Sequence, residues 1–273
     1  MLANILRSIL DRTFLIKTHN RLSATRYVPA PETAIDEYLS KHFPGQGWRN
    51  LSRSARRAWV DFSPLFSDME IHSVVHVGAN DGIFTLSLNE AFPGLFFYLI
   101  EPVPSTFQKL EANVSSLPNM KCFNFAAGAK EKISEMFVDD FSPASSLMPY
   151  EGSAIKEFPF LGKGRAAKIQ IMPLDQILQS CGAAEVDMLI MDVQGYEDKV
   201  LQGAEKTLKY CAAVMSELSL QDLYRGSSTF DSVYQALVRE GFHLKHLLNP
   251  LKGANQTILQ IDGIFVRAPS VGS

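Results

Sequence analysis

"VVHVGANDG", residues 74–82, decides the fold: a valine-rich run breaks abruptly into a cluster of small and turn-forming residues. Valine fits a pleated, buried strand. Gly78 and Gly82 permit a tight turn and close backbone approach, and Phe84, Leu88, Ala91 and Phe92 then recur at the spacing of one helix face. A helix that starts there offers unpaired N–H groups to a ligand. The spacing is Gly-x-x-x-Gly rather than Gly-x-Gly-x-x-Gly, which a purely structural strand-to-helix turn also produces.

Working outward, short apolar runs at 96–100, 121–125, 188–191 and 213–217 alternate with helical patterns such as Phe107, Leu110, Val114 and Val200, Leu201, Ala204, Leu208. Such alternation predicts a parallel sheet covered on both faces. Phe230, Val233, Tyr234 and Leu237 predict a further helix, started by Ser228 or Thr229 and ended at Gly241. "FHLKHLL" and "TILQIDGIFVR", joined by a loop at 250–255, must pair antiparallel because the link is too short for a crossover. The stretch 126–185 exceeds a simple crossover. It is expected to carry an inserted hairpin from "EKISEMFVDD" and "AKIQIM", ending in the helix begun by "LDQIL". The predicted class is α/β, a doubly wound and mostly parallel sheet at 73–273 preceded by an N-terminal helical appendage at 1–72.

Leu2, Ile5, Leu6, Ile9 and Leu10 predict an amphipathic helix within 2–16, packed on the body or on a second subunit, with docking on a membrane surface as the alternative. Arg7, Asp11 and Arg12 interrupt it too early for a signal peptide or a membrane span, so a cytoplasmic location is expected, with peripheral membrane association as the variant. Residues 27–34 read as a linker and 35–72 as one or two short helices around "FPGQGW". Arg49, Arg53, Arg56 and Arg57 read as a solvated helix face, or else as groups that meet an acidic substrate or lipid headgroup.

Composition is that of an ordinary globular protein, with 46% apolar and 20% charged residues in 273. The net charge of −3 gives no pointer to nucleic acid. Residues 1–72 hold ten Lys/Arg against seven Asp/Glu, and the remainder is acidic. Cys122, Cys181 and Cys211 lie far apart without a Cys-x-x-Cys pair, which predicts thiols in a reducing compartment and no metal cluster.

Ligands of open α/β sheets sit beyond the carboxyl ends of the strands, so the residues where each run stops matter most. The second run stops at Glu101-Pro102, 23 residues after Gly78, where a carboxylate can accept hydrogen bonds from both ribose hydroxyls. The bland alternative is an acid favoured by the next helix's dipole. Residues 58–108 contain six acids and no Lys or Arg, and the later runs stop at Asp192 and Glu217. An acidic rim favours a nucleoside cofactor that lacks phosphate and carries a sulfonium and an ammonium, as S-adenosylmethionine does.

"VVHVGANDGIFTLSL", "LIEPVPSTFQKLEAN", "AAGAKEKISEMF", "ASSL", "LDQIL", "LIMDVQGYEDKVLQGA", "SELSLQDLYRG" and "DGIFVR" follow one another in an order that resembles the FkbM-type methyltransferases, a branch of the class I S-adenosylmethionine-dependent fold. The resemblance spans about 73–267. It implies a Rossmann-like seven-stranded sheet with one antiparallel strand. It also implies that Gly78, Ala79, Asn80 and Gly82 line the methionine and ribose side, that Glu101, followed by Pro102, holds the ribose, and that Asn113 supports the loop. Ala126 and Ala127 would meet the adenine, and Asp192, Gly195 and Glu197 would form the loop beside the transferable methyl.

Two residues depart from the family pattern: His76 stands where an acid is common, and Gln194 stands where Glu is frequent. A histidine in a buried strand is ordinarily a neutral core residue. Gln194 removes a carboxylate and weakens a divalent-metal reading, although Asp192 and Glu217 remain possible oxygen ligands. Methyl transfer to a hydroxyl needs alignment and proton removal, and Asp192 or Glu217 is expected to orient the acceptor and take its proton. Each also has a structural reading, as a helix cap or a loop tether. Ser145 and Ser146 are either substrate-facing or turn residues. The expected acceptor is a hydroxyl on a sugar, glycan or other small metabolite. A dinucleotide-dependent oxidoreductase and a non-catalytic nucleoside-binding protein are the alternatives.

Overall fold

The structure is a computed structural model, and it describes residues 32–42, 47–140, 142–158, 161–183 and 185–267. The amphipathic pattern at 2–16 and most of the linker lie outside the described residues.

β1 (Ser73–Val77) is the axis of the sheet. Its side chains alternate: Val75 and Val77 enter one buried cluster, and Val74 enters the other. Each strand face is thus covered, as the apolar run required. After α3 (Ile83–Ala91), β2 (Phe96–Ile100) pairs parallel to β1, and after α4 (Pro104–Val114), β3 (Met120–Phe123) pairs parallel to β2. On the other side of β1 lie β7 (Met188–Met191) and β8 (Ala213–Ser219), also parallel. Antiparallel β10 (Ile258–Arg267) and edge strand β9 (Phe242–Lys252) follow, giving the order β3-β2-β1-β7-β8-β10-β9. β10 is the one strand that runs against the rest of this sheet, as expected.

Register places the site. Val77 is level with Ile100 and Met191, and Met191 is level with Ser216. Gly78, Glu101, Asp192 and Glu217 therefore emerge side by side along the carboxyl edge, where ligands of such sheets bind.

One face of the sheet carries α3 and α4. The other carries α6 (Leu174–Ser180), α7 (Glu197–Gln202), α8 (Glu205–Tyr210) and α9 (Phe230–Arg239). α9 starts in a reciprocal capping box between Thr229 and Ser232. The expected insertion is a second sheet: β5 (Lys132–Asp139) and β6 (Gly164–Met172) form the hairpin, and β4 (Ala126–Ala127) adds parallel to β6. The short α5 (Gly152–Glu157) sits inside the insertion.

Three expectations are corrected. The third strand ends at Phe123, not at 125, because Asn124 turns its amide to donate to the carbonyls of Glu101 and Pro102 at 2.8 and 3.0 Å. The loop placed at 250–255 starts later, since β9 runs on to Lys252. Pro250 is tolerated there because β9 is an edge strand and its register jumps between Leu248 and Leu251, a bulge in which Asn249 is left-handed at φ 49°. Two front helices form, but not as expected: α1 (Glu32–His42) starts inside the expected linker, and α2 (Arg53–Asp68), capped by Ser52, is 16 residues long and not short.

α2 is fastened to the sheet. Ala55, Ala58, Phe62 and Leu65 share a buried cluster with Val74, Leu88 and Phe97. Trp59 stacks on Phe92 at 5.1 Å, and the cap Ser52 hydroxyl donates to Glu90 of α3 at 2.6 Å. A large apolar side chain buried in this way contributes roughly 1.5–3 kcal/mol. Nor are the arginines of this region simply solvated. Arg56 pairs with Asp36 of α1 at 2.7 Å, and Arg57 pairs with Asp61 at 2.8 Å.

Candidate functional site

A cavity of about 250 Å³ opens over the carboxyl edge of the sheet. Its floor is the set of level strand ends, and the insertion, α2 and the β9–β10 pair wall it in.

The first wall is made of backbone. Gly78 has φ +82°, and a Cβ there would lie 2.0 Å from the carbonyl oxygen of Asp192. Any larger residue would push β1 and β7 apart, so the glycine answers both a turn and a close approach. The amides of Gly78 and Ala79 donate to Ile100 at 2.9 and 3.0 Å, and that of Asp192 donates to Val77 at 3.1 Å, which ties three strand ends together. Asn80 is left-handed at φ 50°, a conformation asparagine tolerates, and its amide donates to Glu101 Oε2 at 3.0 Å. Glu101 Oε1 accepts from the amide of Val103 at 2.9 Å. The carboxylate is thereby fixed in the wall, each oxygen keeping a second lone pair for a ligand hydroxyl. Burial pushes its carboxyl up to about 7, against the two backbone amides that favour its charged form.

Ala79, Pro102, Ala126 and Ala127 line the same cavity. Gly82 does not. It caps α3 at φ +83°, and a Cβ there would lie 2.7 Å from Leu110 of α4, so this glycine lets two helices pack instead of meeting a ligand. Asn113 supports the turn as the resemblance implied, donating to the Asp81 carbonyl at 2.9 Å.

The second wall is made of side chains, and Gln194 organises it. Its amide nitrogen donates to Asp192 Oδ1 at 2.6 Å and to Glu217 Oε2 at 3.0 Å. Its amide oxygen accepts from the Tyr224 hydroxyl at 2.8 Å. Glu217 also accepts from Gln260 at 2.7 Å. The departure from glutamate now has a physical reason: an amide bridges two carboxylates that a third carboxylate would repel. Glu197 accepts from the amides of Val193 and Gly195 at 3.3 and 3.2 Å and is 2% exposed, and burial pushes it up to about 7. It shapes the loop below Asp192 from beneath.

His76 faces α3. Its Nδ1 meets the Thr85 hydroxyl at 2.8 Å, its ring lies edge-on to Phe84, and burial pushes it down to about 4, with Asp192 opposing. It is a neutral imidazole at neutral pH and lines the cavity without charge. Ser145 lines it too, but its hydroxyl accepts the amide of Asp139 at 3.0 Å. Ser146 donates to the Gln194 carbonyl at 2.7 Å and so clasps the insertion onto the β7 loop. Among the described residues, no three His, Cys, Asp or Glu side chains are grouped to hold a metal ion, and no helix is long and apolar enough to cross a membrane.

The profile of the Methyltransferase FkbM domain matches residues 76–244, more than half of the chain. The chain belongs to the FkbM methyltransferase family. A curated relative, the 2-O-methyltransferase NoeI of Sinorhizobium fredii, is 22% identical over 170 residues, 60% of this chain and 70% of its own. Solved structures similar to it include the N-methyltransferase NodS from Bradyrhizobium japonicum, at TM-score 0.46, 11% identity and coverage of 78% and 96%. Another is the magnesium protoporphyrin IX methyltransferase from Synechocystis, at TM-score 0.44, 10% identity and coverage of 89% and 100%. The fold assignment stands on the strand order, to which likenesses this weak add nothing.

The FkbM segment contains the whole backbone wall together with Asp192, Gln194 and Glu217. It does not contain every residue that lines the cavity. Arg57 and Asp61 of α2, Asn249 of β9, and Gln260 and Asp262 of β10 also face it and lie outside 76–244. Of these, the sequence singles out only Arg57 by name. Tyr224, inside the segment, also went unread. The usable signal was in "LQIDGIF", where Gln260 and Asp262 alternate within an otherwise apolar strand that pairs beside Glu217.

Proposed function

We propose that this methyltransferase uses S-adenosylmethionine to methylate a hydroxyl on a sugar, glycan or other small polyhydroxylated metabolite. The observation that carries the reading is one cavity with a fixed, buried carboxylate at one end and a bridged carboxylate pair at the other. The residues suit the cofactor: Gly78 to Asn80 offer a close backbone surface without a cation, Glu101 presents acceptor lone pairs to ribose hydroxyls, and Ala126 and Ala127 leave room for a flat base. When bound, the cofactor supplies an electrophilic methyl group on a positively charged sulfur. Asp192, held to β1 at the sheet's carboxyl edge, and Glu217 beside it orient the acceptor hydroxyl and take up its proton. Gln194 keeps both carboxylates aimed, and the insertion, clasped by Ser146, limits water at the site. Oxygen as the acceptor atom is supported by the relative named a 2-O-methyltransferase.

The test is calorimetry of the purified full chain with S-adenosylhomocysteine, with NAD(H) as control, followed by transfer of labelled methyl to a fractionated glycan and metabolite extract. Binding of the first ligand alone, and label in a neutral hydroxylated fraction, are expected. A folded protein, checked by circular dichroism, that ignores S-adenosylhomocysteine at millimolar concentration would sink the cofactor assignment.

A further inference from the structure

α2 presents Ser54, Arg57, Ala58 and Asp61 to the cavity at the i, i+3, i+4, i+7 spacing of one helix face. The adjoining apolar stripe, Ala55, Ala58, Phe62 and Leu65, already secures the helix to the sheet. Arg57 and Asp61 are no part of that buried cluster. They start a hydrogen-bonded line across the cavity wall. Arg57 Nε donates to Asp61 at 2.8 Å, Arg57 Nη2 donates to the Asn249 side-chain oxygen at 3.1 Å, and the Asn249 amide donates to Asp262 at 3.1 Å. Asp262 sits level with Glu217 across the β10–β8 pair. The line thus runs from the appended helix to the carboxylate pair at the strand ends.

Burying such groups is costly unless they are hydrogen-bonded, and along this line they are bonded to one another. The Asp61 side chain is 8% exposed and Asp262 as a whole residue 3%, so water does not serve them as it serves a surface aspartate. Carboxylates accept from hydroxyls, while guanidinium and amide groups donate to hydroxyl oxygens, so the wall matches a ligand whose every group both donates and accepts. Among the described residues that line the cavity the charge is one-sided: Asp61, Asp262, Glu217 and Asp192 face one cation, Arg57. A carboxylate or phosphate on the ligand meets like charge in a confined space. Phe84, Leu223 and Leu251 supply apolar surface for the C–H face of a ring.

We propose that Arg57, Asp61, Asn249 and Asp262 form the acceptor subsite, and that it selects a neutral ring with adjacent hydroxyls, such as a pyranose, over an anionic one. The inference rests on the methyltransferase reading of the cavity. It places acceptor choice in residues outside the FkbM segment.

The test uses the full chain saturated with S-adenosylhomocysteine and saturation-transfer NMR with three probes: a neutral methyl hexopyranoside, the matching methyl hexuronate and the hexose 6-phosphate. The neutral glycoside is expected to bind, with both anionic probes at least about tenfold weaker, and Asp61→Asn or Asp262→Asn to weaken it about tenfold, the worth of one hydrogen bond to a charged group. Asn249→Gly keeps the left-handed backbone, removes only the amide, and is expected to weaken the glycoside as well. S-adenosylhomocysteine affinity by calorimetry is expected to stay at the wild-type value in all three. A cofactor-loaded protein that does not bind the neutral glycoside, that prefers an anionic probe, or whose folded variants bind the glycoside as wild type does, overturns the subsite. Failure to bind S-adenosylhomocysteine at all overturns the cofactor reading instead, which separates the two.

Discussion

The two ends of the cavity are built by different means. At the Gly78–Glu101 end, backbone amides and carbonyls do the positioning: three strand ends are laced together, and the one functional side chain is held by two main-chain N–H groups. At the far end, side chains hold side chains, from Tyr224 through Gln194 to Asp192 and Glu217, and from Arg57 through Asn249 to Asp262. A backbone-built wall is rigid and tolerates few residue types, because its constraints are sterics and φ/ψ. A wall of side chains can be rebuilt one residue at a time. On the proposed reading, such a molecule can keep its cofactor while its acceptor changes.

The sharpest way to break the comparison is at Gly78. Gly78→Ala places a Cβ on the Asp192 carbonyl at a φ that disfavours it, and a loss of about 3 kcal/mol or more is expected, as for other strained backbone positions. Chemical denaturation measures the loss, and S-adenosylhomocysteine binding should vanish with it. A variant as stable as wild type would show that the strand ends can part, and the rigid-wall account would fall.

Glu197 tests the same wall through pH. Its carboxyl titrates near 7 in the folded protein, raised from 4.5, so ionising it above pH 7 works against the fold and protonating it relieves the strain. Glu197→Gln, which can still accept from Val193 and Gly195, should be more stable than wild type above pH 7. The margin should approach about 3 kcal/mol, shrink as pH falls from 7 to 4.5, and vanish below that. Urea midpoints of the two proteins across that range check the sign. A margin that grows toward acid would contradict a buried, uncharged Glu197.

Glu101 is the functional counterpart. Glu101→Ala would remove the two charge-assisted contacts proposed to the ribose hydroxyls, and S-adenosylhomocysteine affinity should then fall about 100-fold. In wild type the carboxyl must lose its proton to accept from both hydroxyls. Because burial sets it near 7, affinity should fall up to about tenfold per pH unit below 7 and level off above. Glu101→Gln should flatten that limb. Calorimetry at several pH values, in buffers of different ionisation enthalpy, reads both the slope and the proton released.

The unequal construction also decided what the sequence could reveal. The Gly78–Glu101 end is encoded locally: Gly78, Asn80 and Glu101 stand at strand ends where apolar periodicity stops, so their place follows from the strands alone. The same logic reached Asp192 and Glu217. It did not reach the packing role of Gly82, because the need for a small residue there comes from Leu110 of another helix, which no local pattern records. It left His76 ambiguous until Thr85 and Phe84 supplied its partners. The far end brings residue 57 beside 249 and 262, and no spacing rule joins positions so far apart. A polar residue inside an apolar strand, as at Gln260 and Asp262, was the trace left in the sequence. Turning that trace into a site required the β8–β10 register.

The smallest effect tests whether the side-chain wall is as independent as it looks. Tyr224 donates to the Gln194 oxygen, and the Gln194 nitrogen then has to face Asp192 and Glu217. The orientation is fixed twice, since turning the amide round would aim its oxygen at two carboxylates. Tyr224→Phe removes one of the two constraints, leaves the stack on Tyr150 in place, and should lower turnover by about fivefold, the worth of about 1 kcal/mol in a neutral hydrogen bond. The KM for the cofactor should not move, because no atom of the backbone wall depends on Tyr224. Gln194→Glu is the necessary partner experiment: it keeps the oxygen that accepts from Tyr224 but sets a third carboxylate against the pair. Its loss should ease toward acid pH, where one proton is shared among the three, whereas the Tyr224→Phe loss should not. If both variants lose activity with the same pH profile, the phenol and the amide do not act on the carboxylates separately, and the line from Tyr224 to Asp192 is a single rigid unit like the wall opposite it.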